Sequence, residues 1–141
     1  MNHAAPPHRD PELIEQAALV LRAMREVAPS LVYAALLTDD GFEVVATPGA
    51  RLDGGRFASM ASSMQALGDA VARELHIGAG EHIIIASSQG HVVQLRVGGR
   101  PLVLSALFDS DETLGKALSV SRRAAEQLAA PVGPVPATRH P

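Results

Sequence analysis

The clearest hydrophobic pattern of the chain lies in its middle, between Gly55 and Ile77. Apolar residues recur there three and four positions apart, which is the spacing of one face of an α-helix. This apolar face comprises Phe57, Met60, Ala61, Met64, Leu67, Gly68, Val71 and Leu75. The pattern predicts a long central helix, capped by Asp53, whose apolar face packs on a β-sheet.

The opposite face of the predicted central helix is nearly uncharged. A solvated helix face normally carries Lys, Glu and Arg, which keep the chain soluble. On the central helix this face carries one acidic residue and otherwise short side chains, which would let the backbone of a second helix approach closely. The residues of this small face are Ser59, Ser62, Ser63, Ala66, Asp69 and Ala70. We predict that a partner covers it, the alternative being a low-charge surface helix in an alanine-rich protein.

Two further helices are predicted, one near each end of the chain. Asp10 followed by Pro11 is a typical helix start, and apolar residues at helical spacing continue to Ala28. The last helix follows N-cap candidates at 109–112 and runs to Leu128. Residues 1–9 and the Pro-rich residues 131–141 are predicted to be disordered tails, so the domain spans residues 10–130.

Five strands are predicted between these helices. Residues 31–38 and 42–47 flank an Asp-Asp-Gly turn and form a hairpin with the second strand at a sheet edge. Residues 81–88, 91–97 and 101–108 are separated by short Gly-containing turns and form an antiparallel meander. Strands that lack a polar face need cover on both sides. We therefore predict an α+β domain in three α-β-α layers, with the central helix on one face and the first and last helices on the other.

The first strand of the meander is predicted to be an unprotected edge. Edge strands usually carry Lys, Pro or bulges that prevent pairing with another chain. This strand instead has the apolar run Ile83, Ile84 and Ile85. An apolar edge beside an uncharged helix face predicts a symmetric homodimer. The alternative is a different topology in which this strand is central.

The composition of the chain argues against several classes of function. The 141 residues suit a single domain, and a net charge of −3 with only 3% aromatic residues argues against nucleic-acid binding. The absence of cysteine suits a reducing compartment. The N-terminal sequence lacks an apolar secretion signal, and no apolar run approaches the roughly twenty residues of a membrane span. We therefore expect a cytoplasmic protein that does not insert into membranes.

No motif of the chain indicates catalysis. Walker-type, dinucleotide-binding and HExxH sequences are absent. His76, His82 and His91 could suggest a metal site, but a predicted two-residue turn at 89–90 places His82 far along the ladder from His91. Ser88, predicted to face His91, lacks the Gly-x-Ser-x-Gly context of a hydrolase. We expect no catalytic residue, no metal and no cofactor.

Between Leu31 and Leu128 the chain resembles the roadblock (dynein light chain roadblock-type) domain family, and most closely its bacterial mutual-gliding-motility B-type regulators of Ras-like GTPases. The residues that carry the resemblance are those at 37–42 (LTDDGF), 57–61 (FASMA) and 114–117 (LGKA). The resemblance implies a five-stranded antiparallel sheet of the roadblock/profilin-like type. It also implies a homodimer through the third strand and the central helix, and binding of a small Ras-like GTPase.

These implications give a set of expected interface residues. The dimer is expected to use Ser59, Ser62, Ser63, Ala66, Ala70, Ile83, Ile84 and Ile85. A GTPase docked across the paired central helices would meet Asp69 and Arg73. Family members that stimulate GTP hydrolysis look as though they reshape the GTPase rather than insert an arginine finger, so Arg56 and Arg100 are expected to be ordinary surface residues.

Two alternative functions remain open from the sequence. One is a sensory module of similar topology that binds a small molecule between helix and sheet. Few aromatic residues and no convergent polar groups count against such a pocket. The other is a scaffold that pairs with a different roadblock-type chain.

Overall fold

The computed structural model describes residues 5–48 and 53–130. Its elements run in the order helix, hairpin, helix, three-stranded meander, helix. Their bounds are α1 (Pro11–Val27), β1 (Leu31–Thr38), β2 (Glu43–Ala46), α2 (Gly54–Leu75), β3 (His82–Ser87), β4 (Gly90–Arg96), β5 (Leu102–Asp109) and α3 (Leu114–Leu128). The strands form one antiparallel sheet in the order β2-β1-β5-β4-β3. The strands predicted at the edges, β2 and β3, are at the edges.

The two faces of the sheet belong to two separate cores. Successive side chains of a strand point to opposite faces. On β1, Ala34 and Leu36 join the large core that α1 and α3 cover, whereas Tyr33, Ala35 and Leu37 join a small core beneath α2. The predicted three-layer α+β class is therefore confirmed.

Each helix begins at a side-chain cap. Asp10 accepts a hydrogen bond from the backbone N–H of Glu12 at 3.1 Å, and Asp53 accepts one from Arg56 at 3.2 Å, as predicted. The cap of α3 is Thr113, which accepts from the Lys116 N–H at 3.2 Å. The prediction of a cap among residues 109–112 is wrong.

The rotation of α2 about its axis differs from the prediction. The residues that α2 buries are Phe57, Ala58, Ala61, Gln65 and Ala72. The apolar residues Met60, Leu67, Val71 and Leu75, predicted to face the sheet, are exposed. The cause is a polar contact: buried Gln94 of β4 donates to the Ala61 carbonyl at 2.9 Å and to Gln65 Oε1 at 3.1 Å. The pattern of hydrophobic positions in α2 carries no information about such a polar contact from another element.

Two local predictions also differ from the structure. The β3–β4 turn consists of Ser88 and Gln89, since Ser87 pairs with Gly90 and Ala86 pairs with His91. This places the turn one residue earlier than predicted. Near the N-terminus, Pro7–Arg9 form a 3-10 turn within the predicted tail, and the ring of His8 stacks on Phe42 at a centroid distance of 4.6 Å. Residues 1–4 and 131–141 of the predicted tails lie outside the described residues.

Tyr33 gives a spectroscopic test of the small core, because it is the only tyrosine and there is no tryptophan. Burial, followed by the charge of Glu43 and the hydrogen bond that Tyr33 donates to it at 3.3 Å, raises the pKa of Tyr33 to about 12. The raised pKa means that the neutral phenol stabilises the fold. This contribution is complete below about pH 10, the ordinary tyrosine pKa, and is lost as the pH rises through about 12.

We expect the phenolate absorbance of the native protein to titrate with a midpoint about two pH units above that of the urea-unfolded chain. Circular dichroism at each pH establishes that the titrating state is folded. Equal midpoints for the native and unfolded chains would show that the small core does not enclose Tyr33 as described.

Candidate functional site

An apolar groove runs between the C-terminal half of α2 and the edge strand β3. Its volume is about 460 Å³. Its walls include Leu67 and Val71 from α2, Ile77 from the following loop, and Ile83 and Ile85 from β3. Leu67 is 66% exposed, Ile77 70% and Ile85 43%. We call this feature the α2–β3 groove.

Close approach of α2 to β3 shapes the floor of the groove. A Cβ atom on Gly68 would lie 3.0 Å from the Cδ1 atom of Ile83, so only glycine fits here without a shift of Ile83. Gly68, placed on the sheet-facing side of the central helix by the apolar pattern, does lie on that side. Beyond α2, His76 adopts a left-handed backbone conformation and Gly78 follows with φ +85°. These two residues end the helix and turn the chain towards β3.

A chain of polar contacts lies at one end of the groove. Arg96 of β4 donates from Nη2 to Asp69 Oδ2 at 2.5 Å and from Nη1 to Asp39 Oδ1 at 2.9 Å. Asp69 also accepts from Gln65 Nε2 at 3.1 Å. Gln65 in turn accepts from Gln94 beneath the helix. The contacts thereby connect the β1–β2 turn, α2 and β4, and we call them the Arg96 network.

The electrostatics of the network favour fully charged groups. Burial alone would raise the pKa of Asp69, but hydrogen bonds from Arg96 and Gln65 and the nearby charges of Arg96 and Arg73 outweigh it, so the pKa is lowered. The hydrogen bond to Asp69 and the charge of Asp39 raise the pKa of Arg96 against the effect of burial. Asp69 is therefore an ionised partner of Arg96.

The residues predicted for the small face of α2 have unequal exposure. Ser59, Ser63 and Ala66 are exposed, whereas Ser62 and Ala70 are half-buried. The Ser62 hydroxyl donates to the Asp39 carbonyl at 3.4 Å. Ser62 thus faces the β1–β2 turn of its own chain, whereas Ser59, Ser63 and Ala66 face the solvent.

The three isoleucines of β3 divide between the two faces of the sheet. Ile83 and Ile85 line the α2–β3 groove. Ile84 alternates to the other face and pairs with Val93, a member of the large core. All three lie on the unpaired edge strand that the sequence predicted.

The two residues predicted to contact a GTPase differ in their surroundings. Asp69 is held by Arg96 and Gln65. Arg73, one turn further along α2, is exposed. Arg56 in the first turn of α2 and Arg100 in the β4–β5 turn do not line the groove.

Sequence reasoning missed the groove residues Leu67, Val71 and Ile77 and the central role of Arg96. A signal for Arg96 was present in β4, where Gln94 and Arg96 lie two positions apart and therefore on one face. A polar pair on one face of a strand between apolar neighbours indicates a polar partner above it, and that partner is α2.

Neither a metal cluster nor a membrane span occurs in the described ranges. Within residues 5–48 and 53–130, no group of three His, Asp or Glu side chains could hold a metal ion. No helix in those ranges is long and apolar enough to cross a bilayer.

Comparison with solved structures identifies the fold as that of roadblock-type domains. MglB from Myxococcus xanthus superposes with a TM-score of 0.75 at 17% identity, over 82% of this chain and 86% of MglB. An MglB with a tetrameric arrangement gives a TM-score of 0.74 at 22% identity, over 90% of each chain. A roadblock/LC7 domain from Streptomyces avermitilis gives 0.71 at 13% identity, over 79% of this chain and 92% of that domain.

No protein-family model and no curated protein sequence matches this chain. The structural relatives, all below 25% identity, establish a roadblock-type fold related to that of MglB.

Proposed function

We propose that this chain is a cytoplasmic, non-enzymatic homodimer that binds a small Ras-like GTPase and acts as its regulator or scaffold. The observation that carries the proposal is the exposed α2–β3 groove on a roadblock-type fold. Soluble proteins seldom leave a contiguous apolar surface of this kind uncovered unless it is a binding site. A second copy of the chain is the occupant that the proposal requires.

The edge strand and the groove together suit an isologous contact. β3 offers unpaired backbone groups along its outer side, and β3 with α2 offers exposed apolar side chains beside them. In a two-fold symmetric pair, the same patch serves both copies. Ser59, Ser63 and Ala66, exposed on α2, leave room for a partner helix to approach.

The GTPase is proposed to dock across the paired α2 helices. Of the two predicted contacts, Arg73 is the better candidate for a direct ion pair, because it is exposed whereas Asp69 is engaged by Arg96. The chain would act by binding and reshaping the GTPase. Hydrolysis would use the catalytic groups of the GTPase itself.

The test is a binding titration against the small Ras-like GTPases of the source organism, each loaded with GDP or with a non-hydrolysable GTP analogue. We expect one of them to bind, with a preference for the triphosphate form. Arg73→Ala should weaken this binding about two- to fivefold, since an exposed ion pair contributes up to about 1 kcal/mol, and the loss should shrink at high salt concentration. Arg123→Ala, an exposed arginine on α3, is the matched control and should leave the affinity unchanged.

Three results would contradict the proposal. One is the absence of binding to any of these GTPases. Another is equal weakening by the Arg73 and Arg123 substitutions. The third is GTP hydrolysis by the chain alone.

The volume and apolar walls of the groove also favour a second candidate, the small-molecule sensor. A ligand of moderate size would fit about 460 Å³. In this case the chain would be a monomer, and apolar metabolites would raise its melting temperature by an amount that grows with the logarithm of their concentration divided by their dissociation constant. A dimer whose melting temperature is unaffected by such compounds would exclude this candidate.

A further inference from the structure

The C-terminal half of α2 has few apolar anchors on the sheet. Its large apolar residues Leu67, Val71 and Leu75 point away from the core. Gly68 and Ala72 are small, so they contribute little buried area of their own. The position of this half of the helix, and of the groove wall that it forms, must therefore depend on other contacts.

The Arg96 network supplies those contacts. Arg96 extends from β4 and holds two carboxylates that lie far from it in sequence, Asp39 in the β1–β2 turn and Asp69 on α2. Hydrogen bonds connect Asp69 through Gln65 to the buried Gln94. One guanidinium thus fixes the helix relative to two different parts of the sheet.

Arginine is the side chain that this geometry requires. A planar guanidinium presents several N–H donors in a fixed arrangement and can hold two acceptors at once. A lysine ammonium is a compact charge on a flexible chain and loses this fixed geometry. The Arg96 side chain is 40% exposed, and those of Asp39 and Asp69 are 44% and 35% exposed, so water screens the network in an isolated chain.

We propose that Arg96 is a positioning residue of the partner-binding surface: through Asp39 and Asp69 it holds α2 at the distance from β3 that the docked copy requires. The inference rests on the proposed homodimer and concerns the residue that prepares its surface. Arg96 also lines the groove. A copy seated there would exclude water from the network and strengthen its charged hydrogen bonds. Because partly exposed ion pairs contribute little to folding, we expect the main effect of the network to be on the position of α2 and therefore on association.

The experiment measures the dimer dissociation constant by sedimentation for Arg96→Met, Arg96→Lys and the unmodified chain. Methionine keeps an unbranched stem but cannot bind the carboxylates. We expect Arg96→Met to weaken association at least tenfold, and Arg96→Lys to recover part of this loss. Arg123→Met removes an exposed arginine of α3 that lies beside α1, away from Arg96 and β3, and should change nothing.

A second measurement separates positioning from a general effect on the fold. In a monomeric Leu67→Glu background, Arg96→Met should lower the melting temperature by only a few degrees, as is typical for partly exposed ion pairs. Asp69→Asn should weaken dimerisation in the unmodified chain but cause little further loss when Arg96 is already methionine. This non-additivity is the signature of a direct network.

The outcomes distinguish this inference from the proposed function. A dimeric unmodified chain whose dissociation constant is unchanged by Arg96→Met would overturn the inference alone. A monomeric unmodified chain would overturn both. Additive effects of the Asp69 and Arg96 substitutions would also contradict the inference.

Discussion

Leu67→Glu is expected to yield a folded monomer. Leu67 is 66% exposed on the wall of the α2–β3 groove, so glutamate in its place is solvated in a single chain and disturbs no core contact. In a symmetric dimer the substitution introduces one carboxylate from each copy into the interface, and unpaired buried charges cost several kcal/mol. We expect the dissociation constant to rise at least a hundredfold, which corresponds to about 2.7 kcal/mol.

The matched control for this experiment is Leu19→Glu. Leu19 lies on α1 and is 57% exposed, on the other side of the sheet. The same chemical change at similar exposure should leave both the mass and the circular dichroism spectrum unchanged. If Leu67→Glu sediments like the control, the α2–β3 groove is not the surface through which copies pair.

The largest expected loss of stability follows from Phe108→Ala. Phe108 of β5 is fully buried in the large core, where residues of α1 and α3 meet the sheet. Truncation removes most of an aromatic ring and leaves a cavity that close-packed neighbours fill only partly. We expect the free energy of unfolding to fall by about 3–5 kcal/mol. Urea denaturation in the monomeric Leu67→Glu background measures this loss without a contribution from dimerisation.

Phe42→Ala provides the comparison at an exposed site. Phe42 follows the β1–β2 turn, is 51% exposed and stacks against His8. Its truncation should cost about 1 kcal/mol or less, since little of its area is buried. Equal losses at positions 42 and 108 would contradict the assignment of the large core to the α1 and α3 face.

Elements set by local sequence were predictable. Asp10 with Pro11, and Asp53, mark helix starts because a cap needs only the residues that immediately follow it. The strand β1 was predicted with the bounds that it has in the structure. β3 was correctly placed at an edge, because consecutive strands of a meander pair in order and the first of them remains outermost.

Features that depend on contacts distant in sequence were not predictable. Arg96 meets Asp39 and Asp69, which lie 57 and 27 positions away. The rotation of α2 is fixed by Gln94 beneath it, so hydrophobic periodicity assigned Leu67 and Val71 to the sheet when they line the groove. The most exposed apolar residues of α2, Leu67 and Leu75, lie beside its small face and not on it.

The shift of the β3–β4 turn has a similar cause. Gln89-Gly90 resembles a turn by composition, yet the pairing of Ser87 with Gly90 makes Gly90 the first residue of β4. A Cβ atom on Gly90 would lie 2.8 Å from the Phe108 carbonyl oxygen. This glycine is therefore required for close approach to β5, a strand whose position the turn sequence does not reveal.

The mass of the unmodified chain in solution tests the central claim most directly. Sedimentation equilibrium over a range of micromolar concentrations should give twice the 14.7 kDa mass of one chain, and Leu67→Glu should reduce it to a single chain. A mass of one chain for the unmodified protein throughout that range would contradict the claim that a second copy covers the α2–β3 groove.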